Sequence, residues 1–168
     1  INPNGVTFGS TARVDVNGLL ATTADFADIN GDPIDYAVEN NAFVFGGVTT
    51  LVFDVEGEAG AVVNTLELAD IDPDDLDEED SLPGIRVGAN GAKLIGESVS
   101  HRGEITLTES VGIVDLASSA GDGTQVFSLA VDASNGLGLV QVPITTDQTT
   151  VELAGRIIAS GGDVRITA

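Results

Sequence analysis

Short apolar–polar–apolar triplets recur along this chain at a nearly constant spacing. They are Leu-Glu-Leu at 66–68, Ile-Arg-Val at 85–87 and Ile-Thr-Leu at 105–107, which begin nineteen and then twenty residues apart. Alternate residues of a strand point to the same side, so each triplet places two aliphatic side chains on one face. A further copy closes the chain over 155–168. Short strands with a period near twenty residues predict a solenoid in which equivalent strands stack in parallel.

The composition favours a narrow core of small side chains. Hydrophobic residues make up 42% of the 168 residues, but aromatic residues only 4%, and 21 residues are glycine. Val, Ile and Leu suit closely spaced strands, while glycines suit the corners between them. The regular Leu and Asn scaffold of leucine-rich repeats and the 3.6-residue period of helical repeats are both missing. We therefore predict an all-β, right-handed parallel β-helix, either as a single domain over 1–168 or as a fragment of a longer β-helix.

Two stretches interrupt the repeat and are expected to be antiparallel insertions. They lie near 24–60 and 120–151, and they hold most of the aromatic residues. Strand patterns occur at 50–55, 125–131 and 138–144. The last two patterns flank a turn-forming run, which predicts a β-hairpin.

The first residues of the chain combine a turn with a strand. The run Asn2, Pro3, Asn4 and Gly5 strongly favours a turn, because proline fixes its own φ and Asn-Gly tolerates a positive φ. Apolar and polar residues then alternate over 6–16, and a second turn is predicted at Asn-Gly 17–18. We expect 2–5 to be a rigid corner in which Gly5 has a positive φ, and not a ligand site.

The run from Ile1 to Thr23 resembles the NPNG region of the filamentous haemagglutinin family, the secreted partners of two-partner secretion systems. In that family an apolar residue, NPNG, another apolar residue, a short strand and a Gly-Leu-x-Ala-[Ser/Thr]-Thr tail follow one another. Here the tail is Gly-Leu-Leu-Ala-Thr-Thr at 18–23. The resemblance implies a parallel β-helix and a role for Asn2, Pro3, Asn4 and Gly5 in structure and secretion.

The same resemblance implies where the protein acts. It implies export by an outer-membrane transporter of the Omp85 type and a secreted location, at the bacterial cell surface or in the extracellular medium. It also implies adhesion or a structural filament role, with a receptor or glycan on a host or neighbouring cell as partner. The family's N-terminal cap and its second motif are missing here, and the chain begins at Ile1. The chain is therefore expected to be a processed product or part of a longer protein.

The net charge of −21, from 27 acidic and 6 basic residues, excludes several partners. Nucleic acid and anionic membrane surfaces are disfavoured, because both require Lys and Arg. Membrane insertion is not expected either, since no apolar run approaches the roughly 20 residues of a membrane span. The densest acidic run has eight carboxylates at 70–80. It is interpreted as a solvated loop, with a Ca²⁺ site as the alternative.

A second candidate for calcium is more ordered. Asp28, Asn30, Asp32 and Glu39 fall at positions 1, 3, 5 and 12 of an EF-hand-like loop. Pro33 replaces the central glycine, and no flanking helices are predicted. A β-turn with an Asx cap is therefore favoured, and Ca²⁺ is the single cofactor that the sequence leaves open.

The sequence offers little to catalysis. It has no cysteine and a single histidine, His101, so it lacks the second histidine or the cysteines of a common zinc site, and its Ser and Thr residues have no predicted partner base for a triad. We predict a non-enzymatic protein in which His101 is structural. Two alternatives remain: a glycan-binding or polysaccharide-degrading β-helix, and a subunit that associates end to end through the strand edge at 164–168.

Overall fold

The computed structural model describes residues 1–27, 50–54, 60–65, 84–118, 126–132, 136–141 and 150–168. These residues form fourteen β-strands and no helix. The strands are β1 (Val6–Phe8), β2 (Arg13–Thr22), β3 (Asp25–Ala27), β4 (Thr50–Asp54), β5 (Ala61–Asn64), β6 (Gly84–Gly96), β7 (Ser98–His101), β8 (Glu104–Leu107), β9 (Ile113–Ser118), β10 (Val126–Asp132), β11 (Gly136–Gln141), β12 (Thr150–Leu153), β13 (Arg156–Ile158) and β14 (Asp163–Thr167).

Ten of these strands belong to two parallel sheets. The first sheet has the order β1-β5-β7-β12, and every neighbouring pair in it is parallel. In the second sheet, β2, β8 and β9 all pair with β6 in parallel, while β13 and β14 extend the sheet beside β8 and β9. The prediction of an all-β protein with parallel stacking is confirmed at this level.

The strands of the two parallel sheets recur in the same order four times along the chain. We call each recurrence a layer: β1 and β2 form the first layer, β5 and β6 the second, β7 to β9 the third, and β12 to β14 the fourth. The first part of β6 pairs with β8 and its last part with β9. The long strands of the first two layers therefore each correspond to two shorter strands in the last two.

The apolar triplets stack as the sequence indicates where the structure describes them. Ile85 pairs with Ile105, and Val87 with Leu107, in parallel register. The triplet at 66–68 lies outside the described residues, but the two register partners of Ile85 are Val14 on β2 and Ile105 on β8. The expected stacking of Leu66 on Ile85 is therefore wrong, because β2 takes that place. The step of twenty residues holds between Ile85 and Ile105, whereas longer stretches of chain separate these residues from their partners in the first and fourth layers.

The core is built mostly from aliphatic residues of the second and third layers, with Ala21 from the first. The buried cluster consists of Ala21, Val62, Ile85, Val87, Ala92, Leu94, Val99, Ile105, Leu107, Val114 and Leu116. Aromatic residues are absent from this buried set, and Phe8 packs against it while partly exposed. The small-residue core expected from the composition is thus present in the described part of the chain.

The turn predicted at Asn17-Gly18 is wrong. Strand β2 continues through both residues, with a register irregularity between Val16 and Gly18. Pairing with β6 on either side of the irregularity holds β2 extended. A Cβ on Gly18 would lie only 2.6 Å from the Cβ of Asn90, so a larger side chain at 18 would clash with Asn90. The glycine therefore permits a close approach between layers and does not reverse the chain.

The remaining four strands form an antiparallel sheet with the order β11-β10-β4-β3. The predicted hairpin is confirmed, because β10 and β11 pair antiparallel. Strand β10 also pairs with β4, so the two predicted insertions join into one sheet, which the sequence analysis did not anticipate. Both insertions leave the parallel sheets at the equivalent connection, after a strand of the second sheet and before the next strand of the first sheet. The first insertion lies between β2 and β5, and the second lies between β9 and β12. Strand β11 lies against β6 and β9.

Candidate functional site

The corner formed by Asn2, Pro3, Asn4 and Gly5 is a closed turn at the surface. The Gly5 N–H donates to the Asn2 carbonyl oxygen at 3.0 Å, and the Asn4 N–H donates to Asn2 Oδ1 at 3.1 Å. The Asn2 side chain therefore forms an Asx-type bond within its own turn. Asn2, Pro3 and Asn4 are exposed, and Gly5 is half-buried.

Two backbone hydrogen bonds tie this corner to the layers. The Asn2 N–H donates to the carbonyl oxygen of Thr22 at the end of β2, at 3.0 Å. The Gly60 N–H, just before β5, donates to the Pro3 carbonyl oxygen at 2.7 Å. The corner thus joins the end of the first layer to the start of the second.

The fit of the corner depends on two glycines. Gly5 has φ of 119°, in the region that favours glycine. A Cβ on Gly60 would lie 2.5 Å from the backbone of Asn4 and Gly5. The expected positive φ at Gly5 is present, and the corner is held by main-chain contacts on both sides.

The chemistry available at the corner is hydrogen bonding. It presents amide side chains and main-chain groups, and none of its four residues has a side chain that titrates. Hydrogen bonding to an extended segment or a polar surface is what such a corner can provide. Nucleophilic attack and proton transfer need groups that these four residues lack.

The candidate calcium residues Asp28, Asn30, Asp32 and Glu39 lie outside the described residues, as does the acidic run at 70–80. Among the residues that the structure describes, no group of three His, Cys, Asp or Glu side chains could hold a metal ion. The described ranges likewise contain no helix long and apolar enough to cross a membrane.

His101 is completely buried in the first parallel sheet. Asn64 Nδ2 donates to its Nδ1 at 3.2 Å, and its Nε2–H donates to the Arg156 carbonyl oxygen at 3.2 Å. This arrangement uses the neutral imidazole with the proton on Nε2. Burial lowers the pKa of His101, and the hydrogen bond to the Arg156 carbonyl opposes this only partly. Both ring nitrogens therefore serve the structure, as expected from the sequence.

A buried ion pair that the sequence pattern did not predict joins β6 to β9. Lys93 on β6 is completely buried, and its Nζ lies 2.8 Å from Oδ2 of Asp115 on β9. Burial lowers the pKa of Lys93, while the hydrogen bond and charge of Asp115 act in the opposite direction. The sequence held a signal for this pair. Aligning the strands that follow the triplets at 85–87 and 105–107 sets Lys93 beside Asp115.

This pair lies on the face of the second parallel sheet that points away from the core. Ile95 and Ala117 lie on the same face, and both are buried. Strand β11 of the antiparallel sheet lies near β6 and β9. At these residues of β6 and β9 the face away from the core is therefore buried as well.

The chain matches no protein-family model, and no match is found among the curated proteins or the solved structures.

Proposed function

We propose that this chain is a secreted bacterial protein of the filamentous haemagglutinin type, in which the layers form a right-handed parallel β-helix. Four layers with the same strand order and in-register parallel pairing support the solenoid. A solenoid gives a long surface with few constraints on sequence, which suits adhesion to a receptor or glycan on another cell, or a role in a filament.

Beyond the structural role expected from the sequence, we further propose that an outer-membrane transporter of the Omp85 type binds the corner at 2–5 during export. The observation that carries this proposal is the contrast between the two sides of the corner. Its backbone is fixed to Thr22 and Gly60, while its Asn4 side chain is exposed. A turn that is rigid and exposed presents fixed hydrogen-bonding groups at little entropic cost to binding.

The export experiment separates recognition from folding. The full chain is produced with an Omp85-type transporter from the same source, and the fraction in the medium is measured. Asn4→Ala removes an exposed side chain and should reduce export while the far-UV spectrum and melting temperature stay unchanged. Thr11→Ala, at another exposed turn of the first layer, is the matched control and should export normally.

Two results would contradict this function. Equal export of the Asn4→Ala variant and the control would show that the transporter does not recognise the Asn4 side chain. Site-dependent hydrolysis of a polysaccharide by the pure protein would favour the enzymatic alternative over the adhesin.

A further inference from the structure

Lys93 is the single lysine of the chain, and it is completely buried. Lysine is mostly exposed in proteins, and arginine is the usual choice for a buried ion pair. The other five basic residues here are arginines. Lysine differs from arginine in one chemical respect that matters at such a position, because a desolvated amine can lose its proton and act as a nucleophile.

The surroundings of Lys93 hold its amine against one carboxyl group. Lys93 and Asp115 are direct register partners on β6 and β9. The amine forms an ion pair with Asp115 Oδ2 at 2.8 Å, and it donates a hydrogen bond to the Ile113 carbonyl oxygen at 3.1 Å. On the other side of Asp115, Nε of Arg165 lies 3.9 Å from Oδ1. The amine is thus oriented by one acceptor, and the carboxyl group has a cation beside its other oxygen.

Burial also favours the uncharged form of the Lys93 amine. Desolvation penalises a buried charge, and moving one proton from the ammonium to the carboxylate makes both partners neutral. Burial lowers the pKa of Lys93, which acts in this direction. Lys93 and Asp115 are both buried, so water has little access to the pair.

We propose that the folded chain carries an intramolecular isopeptide bond between Nζ of Lys93 and Cγ of Asp115. The neutral amine adds to Cγ of the protonated carboxyl group, a C–N bond forms, and the C–O bond to the hydroxyl group breaks. The neutral amine then gives up one proton, which leaves with the hydroxyl group as water. The proton that the ammonium first passed to the carboxylate leaves in the same water molecule, so both protons are accounted for. Nothing is oxidised or reduced, and no co-reactant is required.

The fold makes this condensation favourable in two ways. Fixed neighbouring groups react as if at an effective concentration of up to about 10⁵–10⁸ M, which offsets the unfavourable formation of amides in water. The product also replaces two buried charges with one neutral amide, which removes a desolvation cost. The bond would link the second layer to the third, and it goes beyond the export and adhesion proposed above.

Intact mass is the direct test. The wild-type full chain, folded and held at neutral pH, should weigh less than its sequence by one water molecule, about 18 Da. After protease digestion, one cross-linked peptide should contain both Lys93 and Asp115. An amine-reactive reagent in denaturant should label the N-terminus alone, because the single ε-amine is consumed.

Two variants sharpen this test. Asp115→Ala should restore the sequence mass and the reactive ε-amine, whether or not that variant folds. Asp163→Ala removes an exposed carboxylate from β14 and should still lose one water. Wild-type protein at full mass with a reactive ε-amine overturns the proposal. Loss of water with a reactive ε-amine overturns it equally, because the dehydration then lies elsewhere.

Discussion

At the scale of single residues, His101 makes stability depend on pH near neutrality. Its pKa is lowered by burial, so the unfolded chain binds a proton at a higher pH than the folded chain does. Stability should therefore fall as pH drops below about 6.5, the ordinary value for histidine, and go on falling until the lowered pKa of the folded state is reached. This contribution is fully present above that ordinary value.

Urea unfolding between about pH 7.5 and 5.5 measures this effect. His101→Gln should be less stable than wild type at neutral pH but should lose less stability on acidification. The carboxylates common to both proteins titrate alike, so the difference in slope isolates His101. Equal slopes for the two proteins would show that the buried imidazole does not control the response.

Gly60 offers a second test at this scale. A methyl group there would meet the backbone of Asn4 and Gly5, which cannot move aside without breaking the corner. Gly60→Ala should lower the free energy of unfolding by about 1–3 kcal/mol. At Gly9 a Cβ meets nothing within 4 Å, so Gly9→Ala should be neutral or slightly stabilising. A Gly60→Ala variant as stable as its Gly9→Ala control would disprove the tight fit.

At the scale of strands, ion pairs fasten the fourth layer to the third. Glu104 on β8 binds Arg156 on β13 through two guanidinium nitrogens. Arg102 pairs with Glu152 on β12, at 2.9 Å. The pKa of Glu152 is lowered by the hydrogen bond from Ser100 and by Arg102. Glu104 is largely buried, whereas Arg102 and Glu152 are both half exposed, so the first pair is the less screened by solvent.

The two pairs should therefore differ in strength. Arg156→Ala should speed hydrogen exchange in β13 and β14, with a loss of about 0.5–1 kcal/mol. Arg102→Ala should have a smaller effect on β12. Native-state exchange of these amides is the measurement. A larger effect of Arg102→Ala would show that exposure does not rank the two pairs.

Strand identity was predictable where the pattern is local. The triplets at 85–87 and 105–107 and the hairpin of β10 and β11 follow from alternation and turn residues, which lie close together in sequence. The Asn17-Gly18 prediction failed because β6 supports β2 on both sides of the glycine. The pairing of β4 with β10 and the burial of Lys93 depend on contacts between distant segments. No local pattern in the sequence encodes those contacts.

At the scale of the whole molecule, acidic and basic residues are distributed differently along the chain. All six basic residues lie in the described ranges, whereas most of the 27 carboxylates lie outside them. Self-repulsion should weaken the fold at low salt. Adding NaCl should raise the melting temperature, since the Debye length shrinks from about 30 Å at 0.01 M to about 8 Å at physiological ionic strength.

Calcium distinguishes screening from binding. At matched ionic strength, CaCl₂ should stabilise the protein about as much as NaCl does. A clear extra increase in melting temperature that is lost in the Asp28→Asn, Asp32→Asn double variant would identify a calcium site in that loop instead, because binding to the native state alone adds stability.

The equivalent connection at which both antiparallel insertions leave the layers has a consequence for how such a protein can diversify. Each layer pairs with the next through strand register, which does not depend on the length of chain between one strand and the next. Lengthening a connection costs little, about 0.6 kcal/mol for each doubling. The segments inserted at that connection can therefore change in length and sequence during evolution, while the parallel strands keep their register.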